Sequence, residues 1–133
     1  MKKFALKTLA VVLFVSAAFT SCSNDDESET VITKNELVSA VTGPETGTIN
    51  QEVTFQVTYN VDNSCGNFHQ YIETLSGNTK TIQVQTRYIG TNCGTTAATK
   101  TEPYKFTLNT AGTYVFKFKS STTAFVTKTI VIE

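Results

Sequence analysis

Hydrophobic and polar residues alternate along several short stretches of the chain. The clearest stretch is VTFQVTYNV at 53–61, where every odd-numbered position is apolar or aromatic and every even-numbered position is polar. The alternation recurs at 82–88, 104–108 and 114–118, and a last stretch at 123–132 is partly apolar on both faces. Because successive side chains of a strand point to opposite faces, these stretches predict antiparallel strands with one buried face.

Turn-forming residues separate the predicted strands. Gly43-Pro44 interrupts the first strand, Ser76-Gly77-Asn78-Thr79 predicts a tight hairpin, and Asn109-Thr110-Ala111-Gly112 divides two later strands. The composition agrees, since Thr, Phe and Tyr are frequent and all of them favour strands. We therefore expect an all-β fold, a two-sheet antiparallel sandwich of about seven strands in about 100 residues.

The stretch Thr110-Ala111-Gly112-Thr113-Tyr114-Val115-Phe116 resembles the corner before strand F of immunoglobulin-like domains. The resemblance implies that Tyr114 forms a tyrosine corner, with its ring packed inward and its hydroxyl bonded to the backbone upstream. It also implies an immunoglobulin-like or fibronectin-like sandwich over residues 35–133. Antibody domains carry a disulfide cysteine two residues after this Tyr, where this chain has Phe116, and the chain has no Trp for strand C. No disulfide between the two sheets is therefore expected.

The first 21 residues have the layout of a secretory signal peptide. A basic start is followed by an apolar run from Leu9 to Phe19, which is shorter than the roughly 20 residues that a membrane span requires. The next residues, Phe19-Thr20-Ser21-Cys22, resemble a bacterial lipobox, although Phe19 and Ser21 depart from its usual residues. The resemblance implies that Cys22 becomes the lipid-modified N-terminus and anchors the protein in a membrane.

The residues after Cys22 are acidic and predict an extended tether. Ser23-Asn24-Asp25-Asp26-Glu27 resembles the export signal of Bacteroidetes lipoproteins, which implies an outer-membrane location facing the cell exterior. Residues 22–34 are predicted to be flexible, with a span of roughly 20 Å. The whole layout resembles small surface lipoproteins of the Bacteroidetes with a single sandwich domain.

The charge of the mature chain excludes one class of partner. The full sequence has 11 basic and 11 acidic residues, and cleavage before Cys22 leaves 8 basic and 11 acidic residues, a net charge of −3. Nucleic-acid binding requires a basic footprint, so no nucleic-acid partner is expected.

The two remaining cysteines flank the predicted hairpin. Cys65 precedes its first strand and Cys93 follows its second, so a bulge could bring their α-carbons within the roughly 7 Å that a disulfide needs. The alternative is a metal site formed by both cysteines and His69, but structural zinc sites normally have four ligands. A calcium site is a further alternative, with candidate ligands Asn60, Asp62 and Asn63, but its loop offers a single carboxylate and is explained more simply as an Asn/Asp-rich turn. We predict the disulfide, with no metal and no cofactor.

Function is predicted by exclusion. With one His and no nucleophile motif, the chain is not expected to be an enzyme. We predict a non-catalytic interaction or accessory module that meets a protein partner at the cell surface through distal loops at 60–67 and 90–102. The alternative is a carbohydrate-binding module, which needs an outward aromatic side chain. Phe68 and Tyr71 are three residues apart on one strand, so we expect one of them to face a ligand.

Overall fold

The computed structural model describes residues 29–133. The predicted signal peptide, Cys22 and most of the predicted tether lie outside the described residues. Over 29–133 the chain forms nine strands and no helix, so no helix there could cross a membrane. The strands are β1 (Val31–Glu36), β2 (Val38–Thr42), β3 (Thr46–Gly47), β4 (Glu52–Val61), β5 (Gly66–Ser76), β6 (Thr79–Ile89), β7 (Ala98–Thr107), β8 (Gly112–Lys119) and β9 (Phe125–Ile132).

The strands form a six-stranded sheet and a three-stranded sheet. The three-stranded sheet has β4 at its centre, between β2 and β7, and both pairings are antiparallel. In the six-stranded sheet, one edge of β6 pairs with β5 through the predicted hairpin, in which Ser76 faces Thr79. The other edge of β6 is shared, because β8 pairs with residues 79–82 and β1 pairs with residues 84–89. The sheet continues from β8 to β9 and then to β3.

The core lies between the two sheets and is rich in aromatic rings. Phe55 is fully buried, and its ring centroid lies 5.0 Å from that of Phe106 and 5.3 Å from that of Phe116. Gly43 allows this packing, since a β-carbon there would lie 2.4 Å from the Phe55 ring. The buried hydrophobic residues are Val38, Val53, Phe55, Val57, Tyr59, Val61, Ile82, Val84, Tyr88, Tyr104, Phe106, Phe116, Phe118, Ile130 and Ile132.

The structure confirms the all-β, two-sheet sandwich and differs from the prediction in three details. There are nine strands rather than about seven, because residues 31–47 form three short strands. Two pairings are parallel, β6 with β8 and β3 with β9. In addition, β1 begins inside the predicted tether, since Val31 and Ile32 already pair with Ile89 and Tyr88. Within β1 the buried residue is Glu36, so its sequence lacks the apolar alternation of a strand.

Tyr114 occupies the place that the tyrosine-corner resemblance implied. It lies near the start of β8, and its half-buried ring packs against the core. Its hydroxyl donates a hydrogen bond to the carbonyl of Thr110, four residues upstream, at 2.9 Å. This bond ties the β7–β8 connection to the strand that follows it.

Candidate functional site

The two cysteines of the domain are joined in the predicted disulfide. The α-carbons of Cys65 and Cys93 lie 5.1 Å apart. Gly90 has a φ of +104°, a left-handed conformation that turns the chain back after β6. The hydroxyl of Ser64 then donates to the carbonyl of Cys93 at 2.7 Å, which joins the two loops a second time. Because both sulfurs are bonded to each other, neither is a thiolate nucleophile or a metal ligand.

The two loops crosslinked by this disulfide lie at the end of the sandwich where the described chain begins. The Gly90 amide donates to the Thr30 carbonyl at 3.3 Å, next to the pairing of Val31 with Ile89. The expectation that loops 60–67 and 90–102 are distal to the tether is therefore wrong. The second loop is also shorter than predicted and spans 90–97, because β7 begins at Ala98.

A buried polar cluster lies at the same end and joins β1 to β6. Glu36 is 4% exposed, and its carboxylate accepts hydrogen bonds from the Tyr88 hydroxyl at 2.5 Å and the Thr86 hydroxyl at 3.0 Å. The Tyr88 oxygen also accepts a bond from the Asp62 amide at 2.8 Å. Burial, together with the hydrogen bond to Glu36, raises the pKa of Tyr88. Each polar group of the cluster has a protein partner, which favours a structural role over a catalytic one.

The candidate calcium ligands have other partners in the structure. The Asp62 carboxylate forms an ion pair with Lys34, and this hydrogen bond raises the pKa of Lys34. The Asn63 side chain accepts a bond from the Cys65 amide at 3.0 Å, and the Asn60 side chain accepts one from Thr99 at 3.1 Å. Within the part of the chain that the structure describes, no three His, Cys, Asp or Glu side chains are grouped so as to hold a metal ion.

The structure places Phe68 and Tyr71 together, which corrects the expectation that they lie on opposite faces. A bulge between Phe68 and Gln70 shifts the register of β5 by one residue. As a result, both rings are half-buried against the core, with centroids 4.7 Å apart. The Tyr71 hydroxyl donates to the Glu102 carbonyl at 3.1 Å, and burial raises the pKa of this Tyr. The two rings therefore pack against the core between the sheets and do not form an exposed aromatic platform.

A second polar cluster lies at the inner side of the β5–β6 hairpin. The Tyr104 hydroxyl donates to Glu73 at 2.6 Å, and Lys80 lies 3.0 Å from the other Glu73 oxygen. Desolvation acts to raise the pKa of Glu73, but the hydrogen bonds from Tyr104 and Lys80 outweigh it and lower the pKa. Burial and the bond to Glu73 raise the pKa of Tyr104. The cluster holds the hairpin against the three-stranded sheet.

The outer face of the six-stranded sheet, which points away from the three-stranded sheet, concentrates positive charge. Of the basic residues in 29–133, Lys34, Lys80, Lys105 and Lys128 form ion pairs, and Lys100 bonds the Gly66 carbonyl and the Asn67 side chain. Arg87, Lys117 and Lys119 have no ion-pair partner within 29–133. Their strand positions alternate with buried neighbours, so all three side chains lie on the outer face. No strand position of that face is occupied by Asp or Glu.

A groove of about 240 Å³ lies on the outer face, and Lys119 is the one of these three cations that lines it. The turn after β8 forms one wall with Thr122, and exposed Phe125 follows at the start of β9. The Phe125 ring is 41% exposed, and the Lys117 ammonium lies 5.9 Å from its centroid. The remaining lining combines hydroxyl, amide, aliphatic and ammonium groups, from Ile72, Thr74, Thr81, Gln83 and Lys119.

Sequence reasoning did not select this groove. The alternation of Lys117 and Lys119 with buried Phe residues was a visible signal for an exposed basic row. The contribution of Phe125 and Thr122 was not visible, because it depends on the turn that folds the start of β9 beside β5 and β6.

One family model matches the chain. It is that of the ORF11 beta-sandwich domain, and the match covers residues 55–127, from β4 to β9. Both cysteines, the three unpaired cations and Phe125 lie within the matched range. No curated protein matches the chain, and no solved structure matches it.

Proposed function

The chain belongs to the ORF11 beta-sandwich domain family, and we propose that this sandwich is a non-catalytic binding module at the cell surface. In this proposal a lipid on Cys22 holds the sandwich at the outer membrane, facing the exterior. The partner is a protein or a glycan of the surface. We propose no nucleic-acid partner, because the mature chain has a net charge of −3 and lacks a broad basic footprint.

The proposed location rests on the N-terminal sequence. The apolar run ending at Phe19, the lipobox-like approach to Cys22 and the acids that follow it form one continuous export pattern. Stable anchoring requires more than one acyl chain, which a lipid-modified and N-acylated Cys22 would supply. A tether from Cys22 to Thr30 leaves the sandwich close to the membrane.

The binding role is proposed from the side chains exposed on the outer face of the six-stranded sheet. The outer face carries Arg87, Lys117 and Lys119, which have no ion-pair partner within 29–133, together with the exposed apolar side chains of Ile72 and Phe125. The other basic residues of 29–133 have partners in the fold. Charges without internal partners contribute little to folding, and they are available to a ligand of opposite sign. The proposed absence of catalysis is supported by the disulfide, which removes the thiol that could have paired with His69.

Two measurements test the proposal. Mass spectrometry of the mature protein should find a diacylglyceryl group on Cys22, and an unmodified Cys22 in native membranes would refute the anchor. Crosslinking on intact cells, followed by purification under denaturing conditions, should recover a surface partner attached to peptides of β6, β8 or β9. Crosslinks confined to the disulfide loops would contradict the proposed binding face.

A further inference from the structure

We propose that the groove and the cation row of the outer face bind an anionic polysaccharide. The inference rests on the proposed function as a binding module and specifies its ligand. The residues that carry it are Lys117, Lys119 and Arg87 for the charges and Phe125 for the sugar ring.

The three cations lie in a row that an extended polyanion can follow. Lys117 pairs with Thr81 across the β6–β8 ladder, and Lys119 lies two positions further along β8. Arg87 lies on β6, six residues beyond Thr81, so the row is about 20 Å long at roughly 3.3 Å per residue. A linear chain with regularly spaced negative charges can contact all three cations at once, whereas a single small anion cannot.

The lining of the groove favours a sugar over a protein partner. Protein interfaces concentrate their energy in buried aromatic and Arg anchors and are depleted in Lys. The groove is instead shallow, and its Thr hydroxyls and the Gln83 amide can both donate and accept hydrogen bonds, as sugar hydroxyls do. The exposed ring of Phe125 offers a flat apolar surface for the carbon–hydrogen face of a sugar, with Lys119 beside it for an acidic substituent.

The charge distribution of the domain supports the same ligand. The outer face of the three-stranded sheet carries Lys105, but Glu52 lies 3.1 Å away and neutralises it. An acidic chain is therefore attracted to one face of the sandwich and not to the other. This difference provides a matched control, because Lys105 and Lys119 carry the same charge on opposite faces.

The test is affinity electrophoresis of the full chain extracted in detergent. Gels contain polygalacturonate for carboxylate groups, chondroitin sulfate for sulfate groups, neutral dextran, or poly-L-glutamate. We expect retention by at least one anionic polysaccharide and none by dextran. Lys119→Gln should weaken retention and Lys105→Gln should not. The triple variant Arg87→Gln/Lys117→Gln/Lys119→Gln should bind on the order of tenfold to a hundredfold more weakly.

Three outcomes would overturn the inference. They are no retention by either anionic polysaccharide, equal loss with Lys105→Gln and Lys119→Gln, and tighter binding to poly-L-glutamate, which would identify an acidic polypeptide as the partner. Phe125→Ala should also weaken retention, and its circular dichroism spectrum checks that the fold is intact. Binding should fall when NaCl rises from about 0.1 M to about 1 M, since the Debye length shortens from roughly 10 Å to roughly 3 Å.

The result separates this inference from the proposed function. A chain that is lipid-modified and crosslinks to a surface protein, yet is not retained by these polymers, would refute the ligand alone. A chain that is retained but carries an unmodified Cys22 would refute the anchor alone.

Discussion

Replacing both Cys65 and Cys93 by Ala should remove a large share of the stability of the domain. The bond joins residues 28 positions apart, so it closes a loop of 29 residues counting both ends. In the chain-entropy treatment, a loop of that size restricts the unfolded chain by about 12 cal/mol/K, which is about 3–4 kcal/mol at 25 °C. A domain of this size has a total unfolding free energy of roughly 5–15 kcal/mol.

The shift is large enough to measure by two routes. With about 4–8 °C of melting temperature per kcal/mol for a domain of about 100 residues, the double variant should melt roughly 12–32 °C lower. Urea unfolding can be followed by tyrosine fluorescence, since the chain has five Tyr and no Trp. The m-value should increase in the double variant, because the unfolded chain without the crosslink exposes more surface. All samples carry Cys22→Ser, which removes the lipid and leaves no other thiol.

The control separates the bond from the packing of the side chains. Cys65 packs against the core, so its truncation alone carries some cost. The protein with both cysteines, unfolded in a reductant, keeps these side chains and loses only the crosslink. It should therefore show nearly the full shift. If reduction changed the unfolding free energy by less than about 1 kcal/mol, the entropic reasoning would be refuted for this loop.

Three further substitutions test the packing and the polar clusters. Phe55→Ala should cost about 3–5 kcal/mol in urea unfolding, because it empties the centre of the aromatic core; a cost below about 1 kcal/mol would contradict that packing. Tyr59 has a buried hydroxyl with no hydrogen-bond partner within 29–133, and burial raises its pKa to about 12. Tyr59→Phe should therefore leave the melting temperature unchanged or raise it. Tyr104→Phe should lower the melting temperature, because it removes the hydrogen bond to Glu73. The lowered pKa of Glu73 means that its carboxylate stabilises the fold above the unfolded pKa of about 4.3, and that this stabilisation is lost as pH falls through the lower folded pKa. The stability difference between the wild type and Glu73→Gln should therefore shrink as pH falls below about 4.3, and a difference that does not depend on pH would contradict the pairing.

The sequence predicted the core better than the edges of the fold. The alternation at 53–61 and 82–88 placed Phe55, Tyr59 and Val84 inside, and all three are buried. Hydrophobic burial sets that pattern, so a single strand reveals it without knowledge of its neighbours. The hairpin turn was equally local, because Gly77 supplies the positive φ that a two-residue turn requires.

Features that depend on distant residues could not be predicted. The strand β1 is held by pairing with β6, at sequence separations of 48 to 58 residues, and its buried side chain is a carboxylate. The bulge beside His69 reverses the expected faces of β5, and a one-residue insertion leaves no mark on a mixed polar and aromatic sequence. The groove depends on the β8–β9 turn lying beside β5, a juxtaposition set by the parallel pairing of β6 and β8.

The antiparallel pairing of β1 with β6 also determines how the domain responds to mechanical force. A pull on the chain at Thr30, opposed by a ligand held on the outer face, loads β1 along its own axis. The ladder hydrogen bonds from Val31 to Glu36 run across that axis, so they resist sliding together and do not open one at a time. The rate of forced unfolding is then set by the breaking of the whole ladder. The last residue of that ladder on β1 is buried Glu36, which is also held by its hydrogen bond from Tyr88.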